Sequence, residues 1–438
     1  MAIDSRVASA VFQRLQSSPF IRRHQRQIDR LKESSPDEIA EWQSTRLKSL
    51  FPRWQRHVQH YESPLYTGEP GSWPVLRKED VRLSPDAFRD RRVPSRFVTT
   101  GGTRGRPLPI YISWSSLFTE WAHVGAAWRE GGVELADPKI TFRSSSLGGG
   151  FSDKPIFYQR TYNHFVVSPF HLNDATFQSL LTQIDGFWPR AIWGYPSAIQ
   201  VFAKWVERTG GQPALSRIQA VLLGSEGLRS GQRELFTQVF DCKVVSWYGQ
   251  SEKVVFAVGC PGDESIYHVV PTYGIAEKVG PSIIGTGFTN AAMPLVRYDT
   301  EDGAQQFSSV RCKLCGSPFM SIAGIAGRWD QSLLYGVDNE PISTTALNAH
   351  FPLLATVDRL QYRQEEAGHA TLLLYSSDGI SSIRLAALRD AINRHVGDRL
   401  RIEVQCATPA DFLSGRGKIK LLDQRYNPSP GVTPGLSE

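Results

Sequence analysis

Between Arg190 and Ser246 short apolar runs alternate with amphipathic stretches, and that rhythm restricts the chain to a small set of folds. Ala191-Ile192-Trp193 is a strand candidate, Ser197 to Arg208 reads as a helix ended by Gly210-Gly211, and Ile218 to Leu223 is a second strand. The loop Gly224-Ser225-Glu226-Gly227 follows, then a helix from Arg229 to Phe240 and a third strand from Cys242 to Ser246. Strands that start about every 25 residues with a helix between them form a parallel βαβαβ sheet. An α/β fold follows. The loops at the carboxyl ends of these strands, Gly194-Tyr195, Ser225-Glu226 and Tyr248-Gly249, should then line one crevice, where ligands of open parallel sheets bind.

Upstream, residues 11 to 61 place Trp42, Leu47, Leu50, Trp54 and Val58 at helical spacing, which reads as packing helices without chemistry. Beyond Gly327 the pattern becomes that of a smaller α+β unit. Thr371 to Tyr375 is a strand. Leu385, Leu388, Ile392 and Val396 mark one face of a helix that Gly397 terminates, and Arg401 to Gln405 returns as a strand. The expected organisation is a helical amino-terminal segment (1–90) joined to a large domain (91–327), a small carboxyl-terminal domain (328–426) and a tail (427–438). Proline, glycine and serine in that tail predict disorder.

Composition narrows the functional classes. With 438 residues, 41% of them hydrophobic, the chain can build a large core. It holds no long apolar run of membrane-spanning length, and its first residues, MAIDSRVASAVFQRLQ, are too charged for a signal peptide, so no membrane partner and a cytoplasmic setting are expected. The 49 basic residues exceed the 43 acidic ones, but the excess clusters only around Arg22 to Arg30 and Arg89 to Arg96. A solvated basic face that helps attract a small polyanion fits better than a nucleic-acid partner. Five cysteines do not read as a secreted disulfide framework.

The chemistry-bearing motifs begin with Thr100-Gly101-Gly102-Thr103-Arg104-Gly105-Arg106-Pro107. Glycines bring backbone N–H groups close to phosphate oxygens, threonines add hydroxyl donors and arginines add cationic forks. Any glycine-rich turn reads alike, and the Gly-Lys-Ser/Thr ending of a Walker A loop is missing. The later motifs are Ser246-Trp247-Tyr248-Gly249-Gln250-Ser251-Glu252, Arg297-Tyr298-Asp299-Thr300-Glu301-Asp302, Gly327-Arg328-Trp329-Asp330 and Ser414-Gly415-Arg416-Gly417-Lys418. In this order and separation the five resemble the adenylate-forming superfamily of acyl-CoA synthetases, peptide-synthetase adenylation domains and luciferases. Within it the chain is most similar to the phenylacetate-CoA ligase branch, and there to ligase-like proteins of capsule and polysaccharide synthesis. Ile342-Ser343-Thr344-Thr345-Ala346-Leu347-Asn348-Ala349-His350 and Gly194-Tyr195-Pro196-Ser197 carry that narrower likeness. The resemblance runs from about Val93 to Gln424, and residues 1 to 90 match more weakly.

The resemblance implies a large domain with a parallel sheet, a small mobile carboxyl-terminal domain, and a reaction that joins a carboxylic acid to the α-phosphate of ATP. Thr100, Gly101, Gly102, Thr103 and Gly105 would wrap the β- and γ-phosphates, and Ser225, Glu226 and Gly249 would border the nucleotide. By the same resemblance Tyr248 would stack on adenine, Ser251 would sit near the α-phosphate and Glu252 would hold Mg²⁺. Asp302 would receive the ribose hydroxyls, as an acceptor-only group can, with Arg328 on the same sugar. Arg297 and Asp299 would form a structural ion pair, Asp330 would be the hinge, and Lys418 would bridge the reacting oxygens. Lys420 is the competing lysine. The segment Tyr335-Gly336-Val337-Asp338-Asn339-Glu340-Pro341 departs from the branch, so beside CoA as the thiol acceptor an amine or hydroxyl acceptor stays open, as does a nucleotide-binding protein without catalysis. Trp193, Tyr195, Ser225, Glu226 and Trp247 should border the acyl pocket, which would suit an aromatic or otherwise flat acid.

The cysteines form a second constellation. Cys312 and Cys315 make a C-x₂-C knuckle that can give two thiolates to one metal, and Cys260 with His268 would complete a tetrahedral set. Zinc-containing members of the resembled branch carry a comparable arrangement, which implies a structural Zn²⁺. Redox chemistry is the alternative. Cys242 and Cys406 read as buried apolar residues.

Overall fold

The computed structural model describes residues 18–99, 108–143, 154–210, 212–325, 333–347, 357, 359–412, 414–415, 418–419 and 421–427. The expectations for Thr100, Gly101, Gly102, Thr103, Gly105, Arg328, Asp330, Lys420 and the tail from 428 lie outside these residues, as does the side chain of Lys418.

Two helices open the described chain, α1 (Pro19–Lys32) and α2 (Pro36–His57). Each starts where a serine can accept from the first turn: Ser18 Oγ accepts from Ile21 N, and Ser35 with Glu38 forms a reciprocal capping box. The faces expected to pack do so, with Leu47, Trp54 and Val58 buried. Then come α3 (Lys78–Leu83), the hairpin β1 (Ser95–Thr99) and β2 (Pro109–Ser113), and α4 (Trp114–Glu130).

The centre of the molecule is a ten-stranded sheet. Its elements are β3 (Lys139–Phe142), β4 (Ile156–Gln159), β5 (His164–Val167), α5 (Asp174–Gln183), β6 (Ala191–Gly194), α6 (Pro196–Thr209), β7 (Ala220–Leu223), α7 (Gln232–Phe240), β8 (Lys243–Gly249), β9 (Phe256–Cys260) and β10 (Asp263–Val269). Strands β11 (Gly274–Val279), β12 (Ser282–Gly287) and β13 (Tyr298–Gly303) form a separate three-stranded sheet, while β14 (Gln306–Ser308) and β15 (Ser321–Ala323) return to the large one. The order across the large sheet is β14-β15-β10-β9-β8-β7-β6-β3-β5-β4. Strands β5, β3, β6, β7 and β8 run parallel, as the βαβαβ pattern requires, and antiparallel strands flank them. Helix α7 begins slightly later than Arg229, because Gly231 at φ 81° caps it there.

The carboxyl-terminal α+β unit starts with the hairpin β16 (Leu333–Tyr335) and β17 (Pro341–Ser343), followed by the short α8 (Thr344–Leu347). Strands β18 (Arg359–Glu366), β19 (His369–Tyr375), helix α9 (Ser382–Val396), β20 (Arg401–Cys406), the hairpin β21 (Ser414–Gly415) and β22 (Lys418–Ile419), and β23 (Leu422–Gln424) complete it. Its four-stranded sheet has the order β20-β19-β18-β23. Leu388, Ile392 and Val396 of α9 are buried, as their spacing predicts. One apolar cluster joins this unit to the large domain: Phe202 and Trp205 of α6 belong to it together with Leu334, Ile342 and Leu372.

Two side-chain expectations fail. Cys406 is exposed, because it ends β20 at the edge of the small sheet; Cys242 is buried as expected. Arg297 pairs with Glu277 at 3.2 Å rather than with Asp299, whose carboxylate accepts from the backbone N–H of Glu301. Arg297 sits at φ 48°, and its guanidinium also reaches the carbonyls of Gly71 and Trp73.

Two buried histidines make stability pH-dependent. His123 contacts the Thr119 carbonyl and the Thr272 hydroxyl, and His164 contacts Thr141 and Gln159. Burial pushes the first down to about 4 and the second down to about 3. The unfolded chain therefore takes up protons below the ordinary value near 6.5 that the folded chain refuses, so stability falls as pH drops from about 6.5 toward 4. Thermal unfolding followed from pH 7 to pH 4.5 should show a falling midpoint, with a shallower fall in His123→Asn. Equal slopes for the two proteins would contradict this assignment.

Candidate active site

Strand β8 changes partners along its length. Lys243 to Ser246 pair in parallel with Ala220 to Leu223 of β7, whereas Trp247, Tyr248 and Gly249 pair antiparallel with Val258, Ala257 and Phe256 of β9. Past Ser246 the strand outruns β7, and a cleft opens between its end and the loop after β7. Ser225, Glu226, Gly227, Trp247, Tyr248, Gly249, Tyr267 and Ile325 line it. The predicted residues Ser225, Glu226, Tyr248 and Gly249 are thus brought together. Close approaches shape the rim: a Cβ at Gly194 would lie 2.3 Å from the Phe142 carbonyl oxygen, and one at Gly224 would lie 2.8 Å from the Trp247 ring. Ser225 itself is held at φ 71°, a conformation that non-glycine residues adopt at a cost and that concentrates at functional sites.

Beneath the cleft lies a buried polar chain. The Tyr248 hydroxyl donates to Asp302 Oδ2 at 2.8 Å and accepts from Gln250 Nε2 at 2.5 Å. Burial, with the Asp302 carboxylate beside it, holds the phenol well above its ordinary range and keeps it a donor. Asp302 is 2% exposed, so it joins β13 of the three-stranded sheet to β8 of the large one. Glu252 is also buried. Its Oε1 accepts from Lys78 Nζ at 3.0 Å and from the Tyr298 hydroxyl at 3.2 Å. Lys78, which starts α3, carries no motif in the sequence, and nothing in Arg77-Lys78-Glu79-Asp80 distinguishes it from a solvated helix start. Ser251 is exposed at the turn between Tyr248 and Glu252.

No family model matches the chain, and no curated protein matches it. Solved structures do. The chain is similar to 2-hydroxyisobutyryl-CoA ligase in complex with 2-HIB-AMP and CoA in the thioesterification state, with TM-score 0.54 and 15% identity over 90% of this chain and 91% of that one. The same ligase in the postadenylation state with R3-HIB-AMP gives TM-score 0.51, again at 15% identity and the same coverage. The chain shares the fold of that ligase.

Within that fold Glu226 turns toward the carboxyl-terminal unit. It accepts from the backbone N–H and the hydroxyl of Ser197, each at 3.2 Å, and it hydrogen-bonds Ser343 of β17. Burial raises its pKa, and these hydrogen bonds offset part of that rise. Lys418 pairs with Gly415 across the β21–β22 hairpin, which fixes its backbone register.

Away from the cleft, Cys260, His268, Cys312 and Cys315 converge as the sequence predicts. Their ligand atoms all lie within 4.8 Å of one another, and Cys315 Sγ is 3.2 Å from His268 Nε2. Cys260 ends β9 and His268 lies on β10, while the knuckle is closed by Gly316 N donating to the Cys312 carbonyl at 2.9 Å. Three thiols and one imidazole are a donor set for a closed tetrahedral zinc site. The four residues can hold one Zn²⁺, which would tie the β9–β10 hairpin to the segment before β15. The set runs from the buried Cys260 to the exposed Cys315.

Two expectations follow. Breaking a buried ion pair leaves an uncompensated charge, so Lys78→Met should cost about 3–5 kcal/mol in chemical denaturation, and adding Glu252→Gln should restore most of it. A loss below about 1 kcal/mol in the single variant would mean that the pair is not buried in solution. Protein purified without added metal should carry close to one zinc per chain by elemental analysis, and Cys312→Ser or Cys315→Ser should remove it and lower the melting temperature. A stable, zinc-free wild-type protein would contradict the site.

Proposed function

We propose that this chain is an ATP-dependent ligase that converts a carboxylic acid to an acyl-adenylate and passes the acyl group to an acceptor, most simply the thiol of CoA. The observation that supports this reading most is the seating of Tyr248 to Glu252 where β8 changes partners, with Asp302 hydrogen-bonded beneath it. A fold shared with a ligase whose structure holds an acyl-AMP and CoA adds to it. The acid carboxylate attacks the α-phosphorus of ATP, the bond to the β-phosphate breaks, and pyrophosphate leaves. The acceptor thiol then attacks the acyl carbonyl, giving up its proton, and AMP leaves with the bonding electrons.

In this reading Thr100, Gly101, Gly102, Thr103 and Gly105 cradle the leaving phosphates. Asp302 accepts from the ribose hydroxyls, oriented by the Tyr248 phenol, while the same tyrosine forms a wall for adenine. Arg328 holds the sugar, Ser251 lies by the α-phosphate, and Asp330 is the hinge between the two half-reactions. Mg²⁺, when bound, would neutralise phosphate charge beside Glu252, where Lys78 already holds a positive charge. Lys418 places an ammonium between the carboxylate and phosphate oxygens as charge builds there. Descent within the phenylacetate-CoA ligase branch, near its polysaccharide-associated members, is part of the same proposal. The hairpin from Tyr335 to Pro341, where the sequence leaves that branch, favours a second reading in which an amine or hydroxyl is the acceptor. Asp338 in this hairpin pairs with Arg399 at 3.3 Å, so the departure is built into the carboxyl-terminal unit.

Isotope exchange between ATP and pyrophosphate, run with a panel of acids, tests the first step separately from the acceptor. It should require an acid and fall by roughly 10²- to 10³-fold in Lys418→Ala. Undiminished exchange in that variant would remove Lys418 from the mechanism, and ATP binding without acid-dependent exchange for any acid would contradict the function.

A further inference from the structure

Arg143 stands beside the cleft, bonded to its lining residue Ser225, and no motif accounts for it. It follows β3, whose last residue, Phe142, is paired with Gly194 of β6, so the arginine emerges at the carboxyl end of the parallel strands. Its guanidinium carbon lies 5.0 Å from the centre of the Trp193 ring and 5.3 Å from that of Tyr195, and its Nη2 donates to Ser225 Oγ at 3.1 Å. Ser225 is the residue at φ 71° that lines the cleft.

These contacts fix the cation without neutralising it. The cation lies over the faces of two aromatic rings, and the Ser225 hydroxyl takes one of its five N–H donors. Among the described residues no carboxylate lies within ion-pairing distance of Arg143. A half-buried guanidinium held in this way is a fork waiting for an anion, and its geometry suits the two oxygens of a carboxylate. Of the aromatic residues expected to receive a flat acid, Trp247 lines the cleft, and Trp193 is engaged elsewhere. Trp193 is buried, its ring 5.3 Å from Trp128 and 6.3 Å from Trp121, and the guanidinium stands over it.

We infer that Arg143 reads a second anionic group on the acid, so that the substrate is a carboxylic acid bearing a further carboxylate. This inference rests on the proposed ligase reading. The reacting carboxylate goes to the α-phosphate, and the distal one pairs with Arg143 beside Ser225. A monoacid of the same length leaves the cation unpaired. Discrimination then arises from the uncompensated charge as much as from the favourable pair.

The test has two readouts. Acid-dependent ATP–pyrophosphate exchange is measured with matched pairs such as butyrate and succinate or valerate and glutarate, on wild-type protein and on Arg143→Met and Arg143→Lys. Binding of the same acids without ATP is measured by calorimetry. Wild-type protein should favour the diacid in each active pair by about 10²-fold in kcat/KM. Arg143→Met should collapse that ratio toward unity with the KM for ATP unchanged, and Arg143→Lys should keep part of it. A wild-type preference for monoacids, an equal loss for both acids in Arg143→Met, or a rise in the KM for ATP would each overturn the inference. Diacid binding that depends on Arg143 but yields no exchange would uphold the anion site and count against the ligase reading instead.

Discussion

The backbone of β8 can satisfy two different neighbours only because it is longer than β7. Four residues complete the parallel ladder begun by β6 and β7, and the next three turn their hydrogen bonds to the antiparallel β9. Where the partner changes, the sheet leaves a gap on one side and a fixed strand on the other. Tyr248 stands on that strand. The cleft, the loop at Ser225 and the motif from Tyr248 to Glu252 all take their positions from this change of partner, as expected at the carboxyl ends of an open parallel sheet.

Buried polar contacts then lock the surrounding layers to that strand. Tyr248 to Asp302 ties in the three-stranded sheet, and Lys78 to Glu252 ties in the helical segment ahead of β1. Each joins parts of the chain distant in sequence, and each leaves a polar or charged group buried and costly if its partner is lost. The carboxyl-terminal unit attaches through apolar packing on α6 and through Ser343 at Glu226. Glu226 thus bridges Ser197 after β6 and Ser343 of β17 as well as lining the cleft.

The sequence made local periodicity legible. Alternation from Arg190 to Ser246 yields β6, α6, β7, α7 and β8 with small errors at their ends, and the face of Leu388, Ile392 and Val396 yields α9. The convergence of Cys260, His268, Cys312 and Cys315 was readable because knuckle spacing is itself a local signal. What escaped are partners chosen by tertiary geometry. Arg297 lies two residues from Asp299 yet pairs with Glu277 across the three-stranded sheet, because the backbone at φ 48° turns its side chain away. Lys78 and Arg143 carry no motif at all; one is paired with the buried Glu252, and the other lies over the rings of Trp193 and Tyr195 at the end of β6. The exposure of Cys406 is not legible because a strand's edge position depends on sheet order, which its own sequence does not encode.

In the proposed function, nucleotide and acid meet in the cleft at the end of β8. A crystal structure with a non-hydrolysable acyl-adenylate analogue tests it most directly. Adenosine should lie against Tyr248, with the ribose hydroxyls on Asp302 and the acyl group directed toward Ser225 and Arg143. An analogue bound elsewhere, with Asp302 still bonded only within the protein, would contradict it.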